Sequence, residues 1–175
     1  MRDTTLYQHL LGIVHPWTVS KVELDVEKQR VDVWVEHPKG LKWPCPECGT
    51  EGPLHDHVQR RTWRHLDSCQ FQTFLHAYPP RMKCPEHGVR QVALPWAEPR
   101  ARFTLLFERF AIEVLQQTSI QAARKILDIT WEEAWHLMER AVRRGLEKKP
   151  KKNITQYGVD EKSAGHGQDY VTIVC

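Results

Sequence analysis

The rhythm of apolar and polar residues changes several times along this chain, and each change predicts an element. In residues 4–14, Leu6, Leu10, Ile13 and Val14 gather on one side of a helix. It should stop near His15-Pro16, because the residue before a proline is pushed out of the helical region. Val22, Leu24 and Val26, then Val31, Val33 and Val35, alternate with polar residues. That alternation predicts a β-hairpin turning at residues 27–30. Residues 58–66 and 69–78 read as two further strands, with the turn at Asp67-Ser68. The prolines of Leu94-Pro95-Trp96-Ala97-Glu98-Pro99 exclude regular helix or central strand, so this stretch reads as a linker.

Helical spacing then returns. Phe103, Leu106, Phe107, Phe110 and Val114 form one apolar stripe, expected to be core. Ser119 can cap a short helix carrying Ile120, Ala123, Ile126 and Leu127, which ends at Asp128-Ile129. Thr130-Trp131-Glu132-Glu133 reads as a capping box, in which hydroxyl and carboxylate satisfy each other's backbone N–H groups. The helix it opens is expected to hold Trp131, Ala134, Trp135, Met138, Ala141 and Val142 inward. Three helices joined by such short turns predict a helix-turn-helix unit, with residues 130–146 as recognition helix. Arg140, Arg143 and Arg144, followed by Lys148 and Lys149, would then contact a DNA backbone. Glu132 and Glu133 stand at the end that usually reads bases. They are read as cap and helix-dipole partners.

Two knuckles carry the clearest chemistry. Cys45-Pro46-Glu47-Cys48 and Cys84-Pro85-Glu86-His87 each offer two metal ligands in one tight turn. Zinc in structural sites is tetrahedral with Cys and His ligands, and four protein ligands leave no open position for a substrate. The expected role is folding. Gly49 and Gly88 follow the knuckles, where a chain turning around a metal needs positive φ. Cys69, between the two knuckles, falls in an apparent strand and reads as a small buried hydrophobe and not a fifth ligand. With β-hairpins around it, this module reads as a zinc ribbon.

Net charge is +3, which alone says little, but its distribution is uneven. Residues 58–102 carry +5 and 103–152 carry +3, while the flanks 1–57 and 153–175 carry −3 and −2. A medial basic zone suits an anionic partner such as double-stranded DNA. Arg60, Arg61, Arg64 and Arg81 fall on extended segments that could track a phosphate backbone. No signal peptide or membrane-length apolar stretch is evident, so the expected compartment is a reducing cytoplasm, with no membrane partner.

From about residue 20 onward the chain resembles the bacterial insertion-sequence transposases of the ISL-three group. The residues that carry this are Trp63-Arg64-His65-Leu66-Asp67, Cys69-Gln70-Phe71, Arg81-Met82-Lys83-Cys84-Pro85-Glu86-His87-Gly88, Trp131-Glu132-Glu133-Ala134-Trp135 and Gly158-Val159-Asp160-Glu161-Lys162. The resemblance implies a zinc ribbon, a helix-turn-helix, then a DDE catalytic domain of RNase H-like fold, in which two divalent ions (Mg²⁺ or Mn²⁺) held by three carboxylates drive phosphoryl transfer. It makes Asp160 the first of those carboxylates. Residues 154–159 read as the first strand of that fold, residues 165–167 as a turn, and residues 170–174 as the returning strand; Asp169 gains no role.

The expected fold class is therefore α+β and multi-modular. Its parts are an N-terminal helix and hairpin (1–38), a zinc ribbon (39–95), a helix-turn-helix (100–149) and the truncated start of a catalytic domain (150–175). With only the first carboxylate in its 175 residues, the chain is expected not to cut DNA by itself. The leading expectation is recognition of transposon terminal repeats, with a homodimer or the full-length transposase as protein partner. The alternatives are a regulator or repressor derived from a truncated transposase, and a ribbon that contacts protein while only the helical unit touches DNA.

Overall fold

In the computed structural model, which describes residues 2–150, 158–163 and 170–174, the expected hairpin forms from β1 (Thr18–Asp25) and β2 (Arg30–Glu36). Leu24 lies opposite Val31 and Val22 opposite Val33. Val31, Val33 and Val35 are buried, whereas Leu24 and Val26 face solvent. Helix α1 (Asp3–Leu10) ends earlier than its stripe suggested. Leu6, Leu10 and Val14 are exposed, and Leu11 and Ile13, beyond the helix, are the residues that reach the core. A side chain fixes the α1 connection instead: Gln8 accepts from the Val19 N–H at 2.6 Å and donates to the Trp17 carbonyl at 3.1 Å.

The second pair of strands, β5 (Arg61–Ser68) and β6 (Phe71–Ala77), forms as read but sits elsewhere than expected. Expected within the ribbon, β6 pairs parallel with β2, Val33 opposite Leu75, giving a four-stranded sheet of order β1-β2-β6-β5. The turn falls at Cys69-Gln70, not at Asp67-Ser68, and Cys69 adopts φ +58°. Cys69 is thus exposed on a tight turn, which corrects its reading as a buried strand residue. The ribbon sheet consists of β3 (Lys42–Pro44), β4 (Glu51–His57), β7 (Pro80–Cys84) and β8 (Gly88–Gln91), in that order. The chain leaves the ribbon after β4, builds β5 and β6 into the first sheet, and returns as β7.

Four tryptophans join the two sheets. Trp17 packs against Trp43 of β3 at 5.4 Å and Trp96 at 4.8 Å between ring centroids, and Trp63 of β5 meets Trp96 at 5.8 Å. All four are buried. Aromatic rings of this size dominate the apolar area that a small module can remove from water. The stretch read as a linker supplies one of them: Leu94, Trp96, Ala97 and Ala101 all enter this core. Beyond it, the backbone of residues 102–104 pairs with the free edge of β5, since the Arg64 N–H donates to the Arg102 carbonyl and the Thr104 N–H to the Arg64 carbonyl.

Helices α2 (Leu105–Gln117), α3 (Ile120–Leu127) and α4 (Trp131–Lys148) follow. Their faces match the expected stripes only in part: Phe103, Phe107, Ala123, Leu127 and Ala134 are buried as expected, and other stripe residues are not. Ala111, Ala123 and Ala134, one from each helix, are fully buried beside Phe103, Phe107, Leu127 and Leu137. Small residues let helix backbones approach closely, which leaves bulky neighbours on the flanks. Leu106 and Phe110 of the first expected stripe, and Trp131, Trp135 and Val142 of the second, are exposed. A last hairpin pairs β9 (Val159–Ser163) with β10 (Tyr170–Val174), Asp160 opposite Ile173. The first of these strands begins at Val159; residues 154–157, the expected turn at 165–167 and Asp169 lie outside the described residues. Two paired strands show a hairpin, which by itself does not establish an RNase H-like fold. The described chain is α+β and multi-modular.

Candidate metal centre and helix-turn-helix interface

The two knuckles close on one point. Cys45 and Cys48 flank the turn from β3 into β4, where the Gly49 N–H donates to the Cys45 carbonyl at 2.9 Å and the Cys45 N–H to the Thr50 carbonyl at 2.9 Å. Gly49 and Gly88 adopt φ +75° and +69°, the left-handed conformation expected of them. Cys84 ends β7 and His87 follows in the turn to β8. The ligand atoms of Cys45, Cys48, Cys84 and His87 all lie within 4.8 Å of one another. Cys48 Sγ and Cys84 Sγ are 3.6 Å apart, and His87 Nδ1 lies 3.6 Å from Cys84 Sγ and 3.9 Å from Cys45 Sγ.

These separations test the fit to zinc. Tetrahedral Zn–S and Zn–N bonds place sulfurs about 3.8 Å apart and sulfur and nitrogen about 3.6 Å apart. The four side chains therefore already hold the spacing of a closed Cys3His site. Two further groups, which the ligand spacing did not reveal, support it. The Thr50 hydroxyl lies 3.4 Å from Cys48 Sγ. Together with the Thr50 backbone N–H it brings the Cys48 thiol down to about 6, so that the thiolate a metal requires is present near neutral pH. Glu47 lies 3.4 Å from His87 Nε2 and accepts from Arg90 at 2.5 Å, which holds the outer edge of the imidazole. Glu47 is an interior residue of the first knuckle, which is the only sign of it in the sequence.

The basic residues expected to follow DNA separate into different environments. Arg64 is buried, its guanidinium 2.6 Å from Asp67 and stacked near Phe74 and Phe107. Burial removes it from any backbone-tracking role. Arg81 forms a two-pronged pair with Asp56, and Arg61 donates to the Ala101 carbonyl at 2.8 Å while lying over Trp63. Both are engaged within the fold, which leaves Arg60 as the exposed member of the group.

In the helical unit the starts of α3 and α4 form as the sequence indicated, and α2 gains a cap that was not read from it. Thr104 caps α2 and Ser119 caps α3 by accepting from the Phe107 and Ala122 N–H groups. Asp128, in the left-handed region at φ +50°, ends α3 and starts the turn. The capping box closes: the Thr130 N–H donates to Glu133 at 2.9 Å and the Glu133 N–H to the Thr130 hydroxyl at 3.2 Å. The buried His65 ring lies 2.8 Å from the Thr104 hydroxyl, so one threonine caps α2 and ties it to β5. Burial pushes His65 down to about 4. On α4, Arg143 is exposed and Arg140 and Arg144 are half-buried; Lys148 and Lys149 follow, both exposed.

Two family models match this arrangement. The zinc-finger of transposases IS204, IS1001, IS1096 and IS1165 covers residues 41–87, and the helix-turn-helix domain of transposase family ISL3 covers residues 92–142. These matches support an ISL3-group insertion-sequence transposase N-terminal region. Among its curated relatives is the transposase for insertion sequence element IS1557 of Mycobacterium tuberculosis, 29% identical over 99% of this chain and 40% of the relative. The transposase for element IS1001 of Bordetella parapertussis is 24% identical over 99% of this chain and 43% of its own length. The chain thus spans about two fifths of the length of these curated relatives. No solved structure matches it. A structural zinc in the ribbon accords with both the first family match and the Cys3His cluster. No helix among the described residues is long and apolar enough to cross a membrane.

Proposed function

We propose that this chain is the end-recognition portion of an ISL3 transposase, binding the terminal repeats of its insertion sequence as double-stranded DNA. The observation that carries this reading is the pairing of a capped helix-turn-helix with a long α4 that bears Arg140, Arg143, Arg144 and Lys148 in its second half, with Lys149 just beyond its end. Phosphate contacts from such residues supply affinity and register. The zinc held by Cys45, Cys48, Cys84 and His87 supplies folding free energy to the ribbon, which presents Arg60. Action on DNA places the protein in the bacterial cytoplasm, at the nucleoid.

By family resemblance Asp160 is the first catalytic carboxylate of a longer enzyme that uses Mg²⁺ or Mn²⁺. Asp160 and Glu161 are neighbours on β9 and so point to opposite faces. Among the described residues the single cluster with metal-holding geometry is the zinc set. The described residues therefore do not fit a two-metal site, and no cleavage step is drawn from them.

The test is binding of the purified, zinc-loaded chain to the ends of its own element and to a scrambled duplex, across a salt series. Preference for the ends, with a log–log salt slope that falls by about one unit per lost phosphate contact in Arg143→Ala, is expected. Equal affinity for both duplexes would sink the end-recognition reading.

A further inference from the structure

Helix α4 carries an apolar stripe that its own core does not use. Trp131, Trp135, Val142 and Leu146 are 46%, 53%, 60% and 63% exposed, and Met138 between them is half-buried. At about 100° per residue these five positions lie within roughly 80° of arc, along most of a helix about 27 Å long. Arg140 and Arg144 fall on the other side of the helix, and Arg143 stands on the flank between. The stripe is therefore distinct from both the buried alanine face and the cationic face.

We propose that this stripe is a self-association surface, on which α4 of a second copy docks antiparallel. Three properties select that occupant. The first is symmetry of the stripe: its spacing reads nearly the same in both directions, so an antiparallel partner sets Trp131 against Leu146 and Trp135 against Val142, with the dyad beside Met138. The second is charge. Glu132 and Glu139, in the first half of α4, and Arg143, in the second, stand on one flank of the stripe, about 20–60° from its edge. Antiparallel packing brings Glu132 of one copy beside Arg143 of the other and opposes the helix dipoles favourably; parallel packing offers no such pair. The third is area. Two half-exposed tryptophans, a valine, a leucine and a methionine from each copy remove roughly 1,000 Å² from water, near the lower bound for a specific interface. One group opposes the pairing: Glu139, next to the dyad, meets its own copy.

The surface does not depend on the DNA-binding reading, and its test contains no DNA. The zinc-loaded chain is measured by sedimentation equilibrium over a concentration series. A reversible dimer is expected, weakened about tenfold or more by Trp135→Glu and by Val142→Glu, with zinc content and circular dichroism unchanged, and tightened by Glu139→Gln. Orientation is read in a Cys69→Ser, Cys175→Ser background, where the remaining cysteines are the zinc ligands. Mixed Trp135→Cys and Val142→Cys chains should cross-link to each other faster than either does to itself, and Met138→Cys should cross-link to itself. A chain that stays monomeric at every concentration overturns the proposal and leaves the stripe to another partner, such as a further part of a longer transposase. A dimer indifferent to both Glu variants, or one in which Val142→Cys chains prefer themselves, overturns it as well.

Discussion

Gly52 offers the sharpest test of how the zinc site is held. It lies in β4 between Trp43 of β3 and the strand β7, which ends in the ligand Cys84. A Cβ at this position would fall 2.6 Å from the Met82 methyl and closer still to the Lys83 carbonyl oxygen. Real Cβ contacts do not fall below 3.0 Å, and Met82 is fully buried, so the backbone just before Cys84 must move. Overpacking of this kind costs about 1–3 kcal/mol. Because the displaced residue adjoins a ligand, most of that cost should appear as weaker metal binding, about tenfold to a hundredfold for Gly52→Ala. Zinc affinity by competition with a chromophoric chelator, with thermal melting alongside, reads both consequences. Gly49→Ala is the control: it has open space around the missing Cβ but φ +75°, and should cost only about 1–2 kcal/mol of backbone strain. Unchanged zinc affinity and melting in Gly52→Ala would show that β4 and β7 are not packed at fixed spacing, and the argument would fail.

Changing Cys84 to Ser should release the zinc and unfold the ribbon together, because removal of a ligand removes folding free energy; cooperative unfolding retained without bound metal would refute the site. Replacing Thr130 by Ala opens the capping box and should cost about 1 kcal/mol, read as a lower denaturation midpoint; no change would mean that the Glu133 arm alone holds the helix start. His65 has a folded pKa of about 4, below the ordinary 6.5, through burial. The unfolded chain therefore binds the extra proton first, and stability present above pH 6.5 is lost as pH falls toward 4, by up to about 3 kcal/mol. Taking the difference from a His65→Gln variant removes the acid release of zinc from the comparison, and parallel pH profiles for the two proteins would contradict the assignment.

The local chemistry was legible in the sequence because it depends on residues close together in the chain. The knuckles, their glycines and the capping box are set by spacings of two to four residues and by the conformations those residues permit. Strand alternation gave the β1–β2 and β5–β6 hairpins for the same reason. Which neighbour each strand would choose was not legible. Pairing of β6 with β2 is parallel and spans a long loop, and only the assembled tryptophan cluster makes that arrangement favourable over keeping β5 and β6 in the ribbon.

Helix phase was decided by tertiary packing as well. Both apolar stripes satisfied helical periodicity, yet three alanines took the shared interior, because close approach of three short helices favours the smallest side chains. Their larger neighbours were turned outward, and so Trp131 and Trp135 became surface. Arg64 shows the converse: a charge that looked available to DNA is buried because Asp67 and two aromatic rings receive it. Local pattern determined the elements and the zinc ligands of this protein. Only the tertiary structure, where non-local apolar packing outweighs local preference, decided which faces those elements bury and which remain free to meet a partner.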